Sequence, residues 1–119
     1  MPYQCKLEEG DAGFARAAIS GSGACEEFVE VIHKLGADSV TLAADRLLVD
    51  LREVETVFTF TEQMVIGRAV GVNLRHISRH AAIVRPERIT RVGEKSAQHE
   101  GATVRVFGSE DEAVAWLQA

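Results

Sequence analysis

Three short apolar runs, RLLVDL from Arg46, HAAIVRP from His80 and ATVRVF from Ala102, recur along the chain, and segments of helical period lie between and after them. Each run is too short for a buried helix and is bounded by turn or polar residues, so each reads as a buried strand. Strands that alternate with helices need right-handed crossovers, which line the strands up parallel in one sheet. That alternation leaves few alternatives to an α/β sandwich.

The N-terminal part adds an exception. Tyr3 to Glu8 and Gly13 to Ser20 are partly alternating runs on either side of EGDAG, whose Gly10, Asp11 and Gly13 have turn chemistry, so an antiparallel edge hairpin is expected. In GSGACEEFVEVIHKLG, Cys25, Phe28, Val29, Ile32 and Leu35 recur at helical spacing, with Ser22 placed to cap the start and Gly36 to end the helix. Ser39 to Leu42 fits either a brief strand or a loop. A second helix begins in TFTEQMVIGRAVGVNL, where Thr59 and Glu62 spell a capping box. Pro86 suits the first position of a third helix, with Ile89, Val92, Ser96 and Ala97 on one face. Ser109 and Glu112 form another box ahead of Val114 and Leu117. The expected fold is α/β: a mostly parallel sheet with an N-terminal antiparallel hairpin and about four helices. Without linkers or repeats to divide 119 residues, one domain spanning 1–119 is expected.

Several function classes recede on composition. The start, MPYQCKLEEG, is not a basic stretch followed by an apolar one, and no apolar run reaches the roughly 18 residues a spanning helix needs, so a cytoplasmic protein without a membrane span is expected. Cys5 and Cys25 lack metal or redox spacing and read as small reduced hydrophobes. Residues 66–96 carry seven basic side chains against two acidic within a chain of net charge −5. Scattered arginines on solvated faces account for this, and without interleaved aromatics the segment is not expected to bind nucleic acid. His76 and His80 stand four apart, but His80 starts a strand and no carboxylate or thiol lies close by, so no metal site is expected. No nucleophile elbow or Ser/His/Asp set is legible; the expectation is a non-enzymatic chain without a cofactor.

What remains is DLREVETVFTFTEQ, Asp50 to Gln63. Thr59 lies at a helix start, where its hydroxyl can satisfy an orphan amide, the plain capping role, or receive a phosphate stabilised by those amides. Asp50 ends a central strand, a position that serves either a functional group or a turn cap. Val57, Phe58, Phe60 and Met64 cluster at the start of the helix, and either plug the end of the core or form an apolar surface or groove.

The element order, with LLVDLREVE, AAIVRPE and above all VRVFGSEDEAVAWL, resembles the STAS superfamily, and within it the SpoIIAA-like, or STAS/SEC14, branch of small bacterial proteins. In anti-sigma-factor antagonists of that superfamily, a strand ending Asp-Leu leads to an Asp-Ser pair whose serine a kinase phosphorylates. Counting from Asp50 sets Phe58 on that aspartate and Thr59 on that serine; an aromatic replaces the acid and threonine the serine. The resemblance implies a regulatory protein-interaction module, with Thr59 as phosphoacceptor and the surface around Asp50, Val57, Phe58, Phe60 and Met64 as its contact. The SEC14 likeness implies an alternative, a carrier or sensor of a small lipid-like ligand held against the second helix, with Arg75 or Arg79 near an acidic head group. The expected partner is an unidentified protein, a small apolar ligand or a second copy of the chain.

Overall fold

The computed structural model describes every residue except Met1, Asp11, Ala12 and Ala44. Strands β1 (Tyr3–Glu9), β2 (Ala15–Gly21), β3 (Arg46–Val54), β4 (Arg79–Ile83) and β5 (Val104–Phe107) form one sheet whose spatial order is the chain order. β1 and β2 pair antiparallel, from Tyr3 opposite Gly21 to Glu9 opposite Ala15, and every other pair is parallel. The expected mixed sheet and its edge hairpin are thus present; Asp11, assigned to the turn, lies outside the described residues.

Helices α1 (Cys25–Ser39), α2 (Phe60–Leu74) and α3 (Val92–His99) connect successive parallel strands, and α4 (Glu110–Gln118) follows the last. Right-handed crossovers that all step the same way along a sheet lay their helices on one face. Hence α1, α2 and α3 cover one side, and α4 covers part of the other. The main core joins Ile19, Leu47 and Val49 of the sheet to Phe28, Ile32 and Leu35 of α1 and Leu74 of α2. A smaller cluster on the opposite side joins Leu48, Ala81 and Ile83 to Ala113 and Leu117 of α4. Side chains alternate across a strand, so Leu47, Val49 and Leu51 face one layer while Leu48, Asp50 and Arg52 face the other.

Local boundaries differ from expectation in four places, each for a packing reason. Ala24 rather than Ser22 precedes α1, and its amide donates to Glu27 Oε1 at 2.8 Å; Ser22 instead donates its amide to the Pro2 carbonyl, extending the hairpin. α1 runs past Gly36 to Ser39, because that glycine lets α2 approach: a Cβ there would lie 2.6 Å from the Asn73 carbonyl oxygen. Ser39 to Leu42 is therefore helix end and turn, not strand. β3 continues beyond Leu51 to Val54, since a bulge between Ala18 and Ser20 lets Ser20 and Gly21 pair with Glu53 and Val54. Finally, Pro86 opens only a single 3-10 turn, Pro86–Arg88; Ile89 is extended, and α3 starts at Val92 after Arg91, whose φ is +65°. The arginines explain that interruption. Arg88 donates to the Val54 and Glu55 carbonyls and Arg91 to the Val106 carbonyl, tying the connection to the strand ends.

Candidate functional site

The link from β3 to α2 is anchored before it reaches Thr59. Thr56 Oγ1 accepts from the Tyr3 hydroxyl at 2.9 Å and from the Gly23 amide at 3.0 Å, fastening the link to the hairpin. Two residues later Phe58 turns inward and packs against Phe28 with ring centroids 5.2 Å apart and the planes tilted by 56°. Thr59 is exposed, as a residue at the rim of the sheet's carboxyl edge should be. Its hydroxyl accepts the Glu62 amide at 3.2 Å while Glu62 Oε1 accepts the Thr59 amide at 2.9 Å, the reciprocal box that the sequence predicts. Thr59→Ala is expected to lower stability by about 1 kcal/mol in urea denaturation, and Thr59→Ser to retain it, because the side-chain oxygen is the acceptor.

The other residues singled out from the sequence are not all brought together. Val57, Phe60 and Met64 are exposed around Thr59, at 71%, 65% and 46% of their full surface, and Val65 joins them at 49%. Phe58 belongs to the core side of the same link, half-buried against the main cluster. Asp50 projects from the opposite face of the sheet. There its carboxylate takes two hydrogen bonds from the Arg52 guanidinium, at 3.0 and 2.8 Å, and one from Arg16 at 3.2 Å, and both arginines also reach Glu110 at the start of α4. The hydrogen bonds from Arg52 hold Asp50 below the usual carboxylate range against the opposing effect of burial, and the one from Arg16 does the same for Glu110. This four-charge cluster joins α4 to β2 and β3 and does not face the Thr59 link.

Arg75 and Arg79 also lie elsewhere. Arg75 caps the far end of α2, about 24 Å along the helix axis from Thr59 at 1.5 Å per residue. Arg79 begins β4 on the α4 side, donates to the Trp116 carbonyl at 2.6 Å and sits 5.4 Å from the Trp116 ring. Neither flanks the carboxyl edge; Arg88 and Arg91 do. His76 and His80 do not converge either. The His76 Nε2 is 2.9 Å from Ser39 Oγ, whereas His80 points into the core.

Between the sheet and the layer of α2 and α3 runs a cavity of about 300 Å³. Its floor is Val49, Leu51, Ala82, Val84, Val104 and Val106, and its roof includes Ile66, Gly67 and Val70 of α2 and Ala97 of α3. Ala82 on the floor is a small residue, which leaves space between layers that otherwise pack closely. Glu87, Arg88, Thr90, Arg91 and Glu94 line it at the carboxyl edge, and Val57 and Phe58 adjoin them. His80 lines its inner part, four residues and so about 13 Å along the strand from Val84. Burial alone pushes its imidazole down to about 4, so the ring is neutral near pH 7. Among the described residues neither ring nitrogen has a hydrogen-bond partner. Sequence reasoning weighed His80 as a metal ligand and, with the other histidines, for proton transfer; the visible signal was a lone polar residue opening the apolar run HAAIV.

A second, more open groove lies on the outer surface between α2 and α3, lined by Phe60, Met64, Val65 and Val92, with Lys95 and the Arg68–Glu100 pair, 3.7 Å apart, at its sides. Among the described residues no helix is long and apolar enough to cross a membrane.

Comparison with known proteins follows the architecture. No curated protein matches the chain. Among solved structures, an anti-sigma factor antagonist from Mycobacterium paratuberculosis superposes with a TM-score of 0.65 over 98% of this chain and 95% of its own, at 18% identity. An uncharacterised protein with a SpoIIAA-like fold from Shewanella loihica superposes with a TM-score of 0.54 over 97% of this chain and 93% of its own, at 15% identity. At such identities the likeness is one of fold. The sequence pattern of the SpoIIAA-like family matches residues 14–118, from the second strand of the hairpin into the last helix, and the chain belongs to the SpoIIAA-like family.

Proposed function

We propose that this protein is a non-enzymatic regulatory module that binds a protein partner through the apolar surface at the start of α2. One observation carries the reading: Val57, Phe60, Met64 and Val65 are large apolar side chains held 46% or more exposed on the first two turns of a well-capped helix and the link before it. An adjoining group of exposed apolar side chains on a rigid element marks an interaction surface rather than chance exposure. The groove beside it carries Lys95 and an Arg68 already paired with Glu100 at 3.7 Å, so the complementary partner presents an apolar ridge with an acidic group facing Lys95. The fold shared with an anti-sigma factor antagonist supports a regulatory role of this type. Two free cysteines accord with a reducing, cytoplasmic setting.

Phe60→Asp is the direct test. Partner binding measured with protein purified from the host falls at least tenfold, while the urea midpoint stays near wild type, because Phe60 is exposed, its side chain takes no part in the Thr59–Glu62 box, and an acid suits the first turn of a helix. Unchanged binding would remove this surface from consideration. Phe58→Ala is the wrong probe, since it opens the core under Phe28.

Thr59 is the modifiable group in this scheme. Its exposed hydroxyl lies between Val57 and Phe60, so a phosphate there would place a dianion within the apolar contact and weaken it. Intact mass of the protein from its host, before and after phosphatase, tests this; a phosphate-free protein under every growth condition would leave Thr59 as a cap only.

A second reading, a carrier or sensor of a small apolar ligand, is favoured by the 300 Å³ apolar cavity, which has the size and lining of a small-molecule site. On this reading the ligand lies between the sheet and α2, and the head-group role assigned to Arg75 or Arg79 passes to no arginine.

A further inference from the structure

We propose that His80 is the polar anchor of a ligand site in this cavity, and that the ligand is an uncharged amphiphile of about ten heavy atoms carrying one hydroxyl group. The inference rests on the carrier reading and specifies its chemistry.

Three observations converge on it. The first is the imidazole itself: 4% exposed, lining the cavity with its ring, and unbonded at both nitrogens among the described residues; both nitrogens are covered in this structure, so the hydroxyl of the ligand meets one of them when the ring turns toward the cavity. A buried polar group without a partner is costly, and a neutral imidazole offers one donor and one acceptor. A hydroxyl, which both donates and accepts, is the smallest group that can answer either. The second is the lining, which apart from His80 is apolar along the inner part of the cavity, so the rest of the ligand is hydrocarbon. At about 30 Å³ for each water-sized unit, 300 Å³ holds roughly ten heavy atoms.

The third observation is the state of the charges at the carboxyl edge. Arg88 is bonded to the Val54 and Glu55 carbonyls, and Arg91 to the Glu94 carboxylate at 2.9 Å and the Val106 carbonyl at 2.7 Å. Glu94 also accepts the Val106 amide. These side chains close the strand ends rather than wait for an anion. An acidic ligand would lack a dedicated cation at the edge and would face a neutral ring inside, where an unpaired carboxylate is strongly disfavoured. The ligand is therefore neutral.

Three probes that share one propyl-substituted ring test the proposal at pH 7.5: 4-propylphenol, propylbenzene and 4-propylbenzoate. Binding is followed by titration calorimetry and by the ring resonances of His80 in the 15N-histidine-labelled full chain. The expected result is that 4-propylphenol binds at least tenfold tighter than propylbenzene and moves the His80 resonances. In His80→Leu, which makes the side chain apolar at similar size, the two bind alike. Equal binding of phenol and hydrocarbon to the wild type would overturn the anchor while leaving the carrier reading intact. Binding of neither would overturn both. Tightest binding by the benzoate would overturn the neutral ligand. The wild-type resonances decide the question even if the variant fails to fold.

Discussion

Between pH 7 and pH 4 the wild-type protein is expected to lose about 3 kcal/mol of stability that the His80→Leu variant keeps. The ring titrates near 6.5 in the unfolded chain and at about 4 in the folded one, where burial alone lowers it. Between those values the proton binds only the unfolded chain, so acidification pulls the equilibrium toward unfolding. The contribution is intact above pH 6.5, declines by about 1.4 kcal/mol per pH unit below it, and stops changing under about pH 4. The charged groups lining the same cavity are Glu87, Arg88, Arg91 and Glu94, none of which contributes to the shift. Asp50 and Glu110, whose folded values are lowered by Arg52 and Arg16, act in a lower window: their stabilisation fades only below the ordinary carboxylate range. Urea denaturation of both proteins at half-unit pH steps separates the two effects. At pH 7 the variant should be at least as stable as the wild type, since it replaces an unsatisfied polar group by hydrocarbon. A variant less stable at pH 7, or parallel pH curves, would show that the ring has a partner in the folded chain.

The second large effect is at Gly67. α2 and α3 meet along small residues, Gly67 and Gly71 on one helix and Gly93 and Ala97 on the other. A Cβ on Gly67 would lie 2.4 Å from the Gly93 carbonyl oxygen and 2.9 Å from the Gly93 Cα; at Gly71 it would lie 2.8 Å from the Ala97 carbonyl oxygen. Backbone cannot rotate aside as a side chain does, so the helices must separate. α3 spans eight residues, too short to hold helical form without this packing. Gly67→Val is therefore expected to lower stability by about 3 kcal/mol or more, near the upper end of overpacking effects, despite the general gain from removing glycine from a helix. Its neighbour Arg68→Ala, on the solvent side of α2, should shift stability by less than about 0.5 kcal/mol. Thermal unfolding of both variants by circular dichroism makes the comparison. Since Gly67 also roofs the cavity, any ligand binding should weaken with it.

Particular residues show which features were legible before the fold was known. Apolar period identified the strands and α-helices described above, and Thr59 with Glu62 marked the start of α2 to within a residue, because a capping box is satisfied by atoms three residues apart. Pro86 and Gly36 misled for the same kind of reason. Each carries a local preference worth a few kcal/mol at most, and each was overruled by contacts with distant chain: the Arg88 bonds to the end of β3, and the close approach of Asn73.

The surface at Val57, Phe60 and Met64 was readable as a cluster because its members lie within eight residues of one another. Asp50 and Arg79 were grouped with it wrongly, since sequence proximity does not say which face of a sheet a side chain takes relative to covering helices. One step of alternation sends Asp50 toward α4 and Val49 toward α2.

Periodicity, caps and turn residues thus settled the identity and order of the elements, because those depend on interactions within a few residues. The side of the sheet each helix covers, the pairing of Arg16 and Arg52 with Glu110, and the burial of His80 beside a cavity arise from residues brought together across the chain. Close packing of three layers sets them, and no stretch of neighbouring residues contains that information.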